Sequence, residues 1–163
     1  MDLLTLYDYN YWANARVLEA AERVTPEQYA TPAGLSHGSL RGTLVHTFVA
    51  EHVWRLRCQE GLSPSSLPVE ADYPSLDLLR DSWQAEERAM RLYIQSLTRE
   101  SLQEIVHYTT TKGEPYSNRR WNLLVHVVNH GTQSRAEAGL ALASYGHSPG
   151  DLDMVLYFRK RGG

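Results

Sequence analysis

The sequence predicts an all-α fold: an antiparallel four-helix bundle with a long crossover and a small hairpin inserted before the fourth helix. Three observations predict it. Four long segments carry apolar residues at the 3–4 spacing of an amphipathic helix. A stretch containing Pro64, Pro68 and Pro74 separates the second segment from the third and is too rich in proline for a regular element. The run Ile105 to Asn118 is β-branched and aromatic around a Lys112–Gly113–Glu114–Pro115 turn, and it precedes the fourth segment. A chain of 163 residues can bury roughly 70% of its unfolded surface, and no repeat or composition break divides it. It reads as one domain over residues 1–163.

The first helix spans Met1 to Val24, with Leu3, Leu4, Tyr7, Tyr11, Ala15, Leu18 and Ala21 as its apolar stripe. Thr25 and Pro26 suit the cap and first position of a short turn, and Ala30 to Gly38 reads as a loop. Ser39 caps the second helix, which runs to about Glu60 and stops at Gly61. Leu62 to Pro74 is the crossover linker. Ser75 opens the third helix, Leu76 to Leu97, where the carboxylates Glu86 and Glu87 read as a solvated face. The fourth helix covers Trp121 to Gly146, and Asp151 to Lys160 is a short segment apolar enough to dock on the bundle.

Composition narrows the function. Hydrophobic residues make up 42% and charged residues 21%, and the net charge is −3. The first dense basic run is Arg159–Lys160–Arg161, so nucleic acid is not an expected partner. No apolar run is long enough to span a bilayer, and the polar N-terminus has no signal-peptide core. A soluble cytoplasmic protein is expected, with no membrane partner. The single cysteine, Cys58, precludes an intramolecular disulfide and suits packing better than metal or redox chemistry.

Two of the seven histidines stand out. At about 100° per residue, Leu123, Val127, His130, Gly131, Ser134, Ala138 and Ala141 share a stripe about 80° wide. His46 sits among Gly42, Val49, Ala50 and Val53 on the second helix, whereas His52 falls on the polar flank. A buried imidazole without a partner costs about 1–3 kcal/mol, so His46 and His130 each need one. Bundles build metal sites from side chains projecting inward on facing helices, and imidazole suits Zn, Ni or Fe. Residues at i and i+4 can share one ion. Both His126 and Ser134 stand in that relation to His130, and Ser134 lies on the more buried side. Histidines bonded to a carbonyl or hydroxyl, with no metal, are the alternative.

The chain resembles the DinB-like (YfiT-like) family of metal-binding four-helix proteins over nearly its whole length. YDYNYWANARVLEA is similar to that family's first helix, LVHTFVAEHVWRLR to its second-helix metal motif, and LLVHVVNHGTQSRAEA and GHSPGDLD to its fourth helix and ending. The resemblance implies ligands from helix two and from an i, i+4 pair on helix four, here His46, His130 and position 134. The usual histidine at the last position is Ser134. Three outcomes follow: a two-histidine site completed by water, a site recruiting His126, or a pocket without metal. The resemblance also implies that Glu51 and Arg135 lie near the ligand turns, either paired beside the pocket or facing solvent.

For function, the resemblance implies a divalent metal (Zn, Ni or Fe) that activates a low-molecular-weight thiol for S-transfer, in a pocket lined by residues such as Trp12 and Tyr116. The alternative is a non-catalytic small-molecule-binding or stress-response bundle whose site is degraded by Ser134. A homodimer is expected by the same resemblance.

Overall fold

The computed structural model describes residues 2–162. Its bundle is made by α1 (Leu3–Ala21), α3 (Leu40–Arg55), α4 (Leu76–Gln95) and α6 (Arg120–Ser144). The short helices α2 (Pro26–Ala30), α5 (Arg99–Gln103) and α7 (Met154–Lys160) decorate it. Around the bundle, α1 packs on α4 and α6, and α3 packs on α4 and α6.

Cross-helix contacts give the polarity. Tyr7 bonds to the Leu124 carbonyl and Asn14 lies against Arg135, so α1 and α6 are parallel. Glu51 meets Trp83 and the Cys58 carbonyl meets Tyr93, so α3 and α4 are parallel as well. Asp8 pairs with Arg91 while Glu22 pairs with Arg80, and Trp54 faces His126 while His46 faces His130. The pairs α1/α4 and α3/α6 are therefore antiparallel. The parallel α3/α4 pair demands the crossover: the linker returns to the start of α3, where Glu70 accepts from Ser39 Oγ and Arg41 Nε at 2.7 and 2.8 Å.

Local chemistry sets the ends. Asp2, Ser39 and Ser75 each accept from a first-turn N–H, and Thr25 and Gln28 form a reciprocal capping box. Past Arg55 the helix loosens into a π-helical turn, Leu56–Glu60, which ends at Gly61 with φ 67°. The inserted hairpin forms as β3 (Ile105–Thr109) and β4 (Pro115–Arg119), with Tyr108 opposite Tyr116. Residues read as a loop form a second hairpin, β1 (Pro32–Leu35) and β2 (Gly38–Ser39). Strands of four and two residues are too short to show a period, and their bends rest on Gly34 and Gly38 at φ 69° and 79°.

One correction concerns α1. Its buried face runs through Leu3, Leu6, Tyr7, Asn10, Asn14, Val17 and Ala21, while Leu4 and Ala15 point outward. Leu3, Tyr7, Tyr11, Leu18 and Ala21 of the expected stripe are buried as expected, and the buried face widens to take in Asn10 and Asn14. Among the described residues no helix is long and apolar enough to cross a membrane.

Candidate metal centre

His46 on α3 and His130 on α6 face each other with Nε2 atoms 2.9 Å apart. Both rings are half-buried at the edge of the core, reachable from outside, and not in the centre of their stripes. If the pair shares a proton, one ring donates from Nε2 and the other accepts there, so the two are opposite tautomers. Burial, then the neighbouring His37 and His130, push the His46 imidazolium down to about 4. Burial, then His126, His37 and Arg135, lower His130 too. Both are neutral at pH 7, the form in which imidazole binds a metal.

The donor set can be tested against a divalent ion. At bond lengths of about 2.0–2.1 Å, two imidazole nitrogens on one ion are about 2.9 Å apart at a right angle and about 3.3 Å apart at a tetrahedral angle. The observed 2.9 Å falls at the short end of that span. Two positions fit. The third offers Ser134, buried one turn beyond His130, whose neutral hydroxyl is a poor partner for these metals. Among the described residues no group of three or more His, Cys, Asp and Glu side chains is placed to hold a metal together.

A cavity of about 270 Å³ opens beside His46, lined by His37, Val45, Val49 and the linker residues Leu67 to Glu70. A second cavity of about 270 Å³, between α1 and α4, is lined by Asn14, Trp83 and the acidic side chains Glu19, Glu22 and Glu87, and no histidine reaches it. Of these two cavities, the one beside His46 is the one that offers imidazole ligands.

The remaining expected residues separate into three places. His126 is exposed, its ring edge-on to Trp54 at 5.4 Å and 5.8 Å from that of His130. Trp12 packs against Tyr9 and Tyr157 beneath α7, and Tyr116 is exposed on β4 and stacks on Tyr108. Neither Trp12 nor Tyr116 lines the cavity beside His46. Glu51 and Arg135 are buried, 1% and 3% exposed, and two asparagines join them. Asn10 and Asn14 each donate from Nδ2 to Glu51 Oε1 at 2.9 Å. Arg135 Nη1 donates to their Oδ1 atoms at 2.6 and 2.7 Å. Trp83 Nε1 donates to Glu51 Oε2 at 3.1 Å, so all four bundle helices enter one network. Burial pushes the Glu51 carboxyl up, and these donors with the Arg135 charge oppose it.

A profile of the DinB family matches residues 1–161. The chain belongs to the DinB family. Protein DinB of Bacillus subtilis (strain 168) is 24% identical over 164 residues, covering 95% of this chain and 94% of that protein. The match runs through all four bundle helices and the α7 ending, so the whole fold described above is a DinB fold.

Two features of this DinB bundle, His37 and the clamp on Glu86, escape the sequence reading, whereas Cys58 packs as expected. His37, in the β1–β2 turn, stacks on His46 with ring centroids 3.6 Å apart. As a loop residue it has no periodicity to betray it; its adjacency to Gly38 and the Ser39 cap is the one available signal. Glu86 is buried, not solvated as expected. Arg55 donates to it from Nε and Nη2 at 2.5 and 3.0 Å, and His52 Nδ1 lies 2.7 Å away. His52 is thus partnered, not free on a polar flank. Cys58 is buried, and burial pushes its thiol up to about 12, which removes it as a nucleophile at neutral pH.

Proposed function

We propose that this DinB-family protein binds a divalent metal between α3 and α6 through His46 and His130, and uses it for S-transfer from a small thiol. The convergence of two neutral imidazole nitrogens at 2.9 Å beside a 270 Å³ cavity carries the reading. When bound, the metal would lower the pKa of a thiol at an open position and make its thiolate available at neutral pH.

The chain's own residues supply the rest. His46 and His130 are held neutral by burial, so neither must lose an imidazolium proton before binding, and the ring that carries its N–H at Nε2 has only to shift that proton to Nδ1. Val45, Val49 and Leu67 give the cavity an apolar wall that suits the carbon skeleton of a small ligand. The Glu51–Arg135 network fixes α3 against α6, and with them the two ring-bearing segments. Cys58, buried and un-ionised, does not compete as an internal nucleophile.

The test begins with metal content of tag-free protein, by plasma mass spectrometry, for the wild type and for His46→Ala and His130→Ala. Near-stoichiometric metal lost in both variants supports the site; wild-type protein that takes up no metal overturns it. Turnover is then assayed with a panel of small thiols and an electrophilic acceptor. Ser134 favours a second reading, a bundle that binds a small molecule without reaction. Metal retention with no turnover across the panel supports that one.

A further inference from the structure

We infer that His37 supplies the third imidazole of this site, in place of the side chain that Ser134 cannot provide. The inference rests on the metal reading above. The His37 ring already lies against His46, 3.6 Å between centroids and 16° from parallel. Stacked in this way the two rings cannot aim their in-plane lone pairs at one ion, and the three histidines do not yet form a metal-holding group. A turn of the exposed His37 side chain about χ1 and χ2 is the change required.

The backbone beneath that side chain is held in place on three sides. Ser36 N and Oγ donate to Glu137 Oε2 and Oε1 at 3.1 and 2.6 Å. Glu137 stands three residues after Ser134 on α6, one helical turn along the same face. The tip of the hairpin is thereby tied beside the position that lacks a ligand. On the other side, the His37 carbonyl accepts from Ser39 N at 3.0 Å. It also sits so close to Gly42 that a Cβ there would come within 2.1 Å of the oxygen. A glycine in the first turn of α3 permits this approach, at a position where any other residue would push the turn away. His37 also lines the cavity beside His46.

His126, the other spare histidine, is less well placed. Its ring lies edge-on to Trp54, and moving it toward the His46 side gives up that contact.

Full-length protein stripped of metal is titrated with Zn²⁺ against a chromophoric chelator and with Co²⁺ by visible absorption, circular dichroism confirming the fold of each variant. The expected result is a loss of at least about tenfold in Zn²⁺ affinity for His37→Ala, the low end for disturbing a metal's surroundings, with a weaker, shifted Co²⁺ band. Gly42→Ala moves the turn and weakens binding in the same direction. In a Ser134→His background, His37→Ala becomes silent. Wild-type affinity in His37→Ala, with binding lost in His46→Ala, overturns the role of His37 and leaves the two-histidine site standing. Binding lost in His126→Ala and kept in His37→Ala assigns the third position to His126 and overturns the inference. No binding by wild-type protein removes both this inference and the metal reading.

Discussion

At the residue scale, four buried polar side chains, Asn10, Asn14, Glu51 and Arg135, join across three helices. Glu51 and Arg135 are each fully enclosed, and neither touches the other; Asn10 and Asn14 turn their amides so that each donates to the carboxylate and accepts from the guanidinium. Removing one charge from such a pair strands the other, a loss of about 3–5 kcal/mol. Glu51→Gln should therefore destabilise the protein by about that amount in urea denaturation. Glu51→Gln with Arg135→Met should cost clearly less than the two single changes summed, the mark of coupled neighbours. Gly131 makes room for this network: a Cβ there would lie 2.8 Å from Arg135 Nη1 and 3.0 Å from Asn10 Oδ1. Gly131→Ala should lower stability by about 1–3 kcal/mol despite its better helix propensity, because the anchored guanidinium must move. Gly139→Ala, whose Cβ would meet only Pro149 Cγ at 3.7 Å, should be neutral or stabilising in the same melts. His46 and His130 were legible in the sequence because a histidine on an apolar stripe stands out. The asparagines were not, since a polar residue whose partner is on another helix looks like a surface residue.

At the element scale, α3 and α4 are joined by a clamp whose acid has the spacing of the apolar stripe but reads as solvated from its charge. Glu86 lies within the run Trp83 to Met90, and its partners Arg55 and His52 are on α3, invisible from α4 alone. Burial alone would raise this carboxyl. The hydrogen bonds from His52 and Arg55 and the charge of Arg55 outweigh it and hold the group below the ordinary 4.5. A carboxyl lowered on folding contributes stability above its unfolded value and loses it as pH falls through the folded one. Glu86→Gln should be less stable than wild type at pH 7, and the gap should shrink as denaturation is repeated below pH 4.5. A gap unchanged down to strong acid would mean that Glu86 acts through packing alone. The long helices and the β3–β4 hairpin were legible from period and turn chemistry. The β1–β2 hairpin was not, because what holds it is tertiary: Glu137 on Ser36, and the close seat on Gly42.

At the scale of the whole molecule, the DinB architecture follows from one topological fact: the proline-rich linker carries the chain back so that α3 and α4 run parallel. That return packs Leu67 to Glu70 against α3 and walls the cavity beside His46. Under the proposed function, metal binds the folded state and not the unfolded one, and stability rises with free metal. At a hundredfold excess over Kd the gain is about 2.7 kcal/mol. For a chain of this size that raises Tm by roughly 5–10 °C. Differential scanning calorimetry with Zn²⁺ should show this rise in wild type and its absence in His46→Ala.

The network shared by all four helices has a consequence for how the chain is born. Synthesis delivers Asn10, Asn14, Glu51 and Trp83 first and the balancing cation, Arg135, only near the end. A nascent chain that ends before α6 has an acid to enclose and no base to set against it. It also lacks the helix that packs on both α1 and α3. Such a chain should stay open on the ribosome and close in a single step once the last helix emerges. Stalled chains of residues 1–119 should be cut rapidly by protease, and chains that have extruded α6 should resist; early protection would mean that the first three helices settle without their counter-charge.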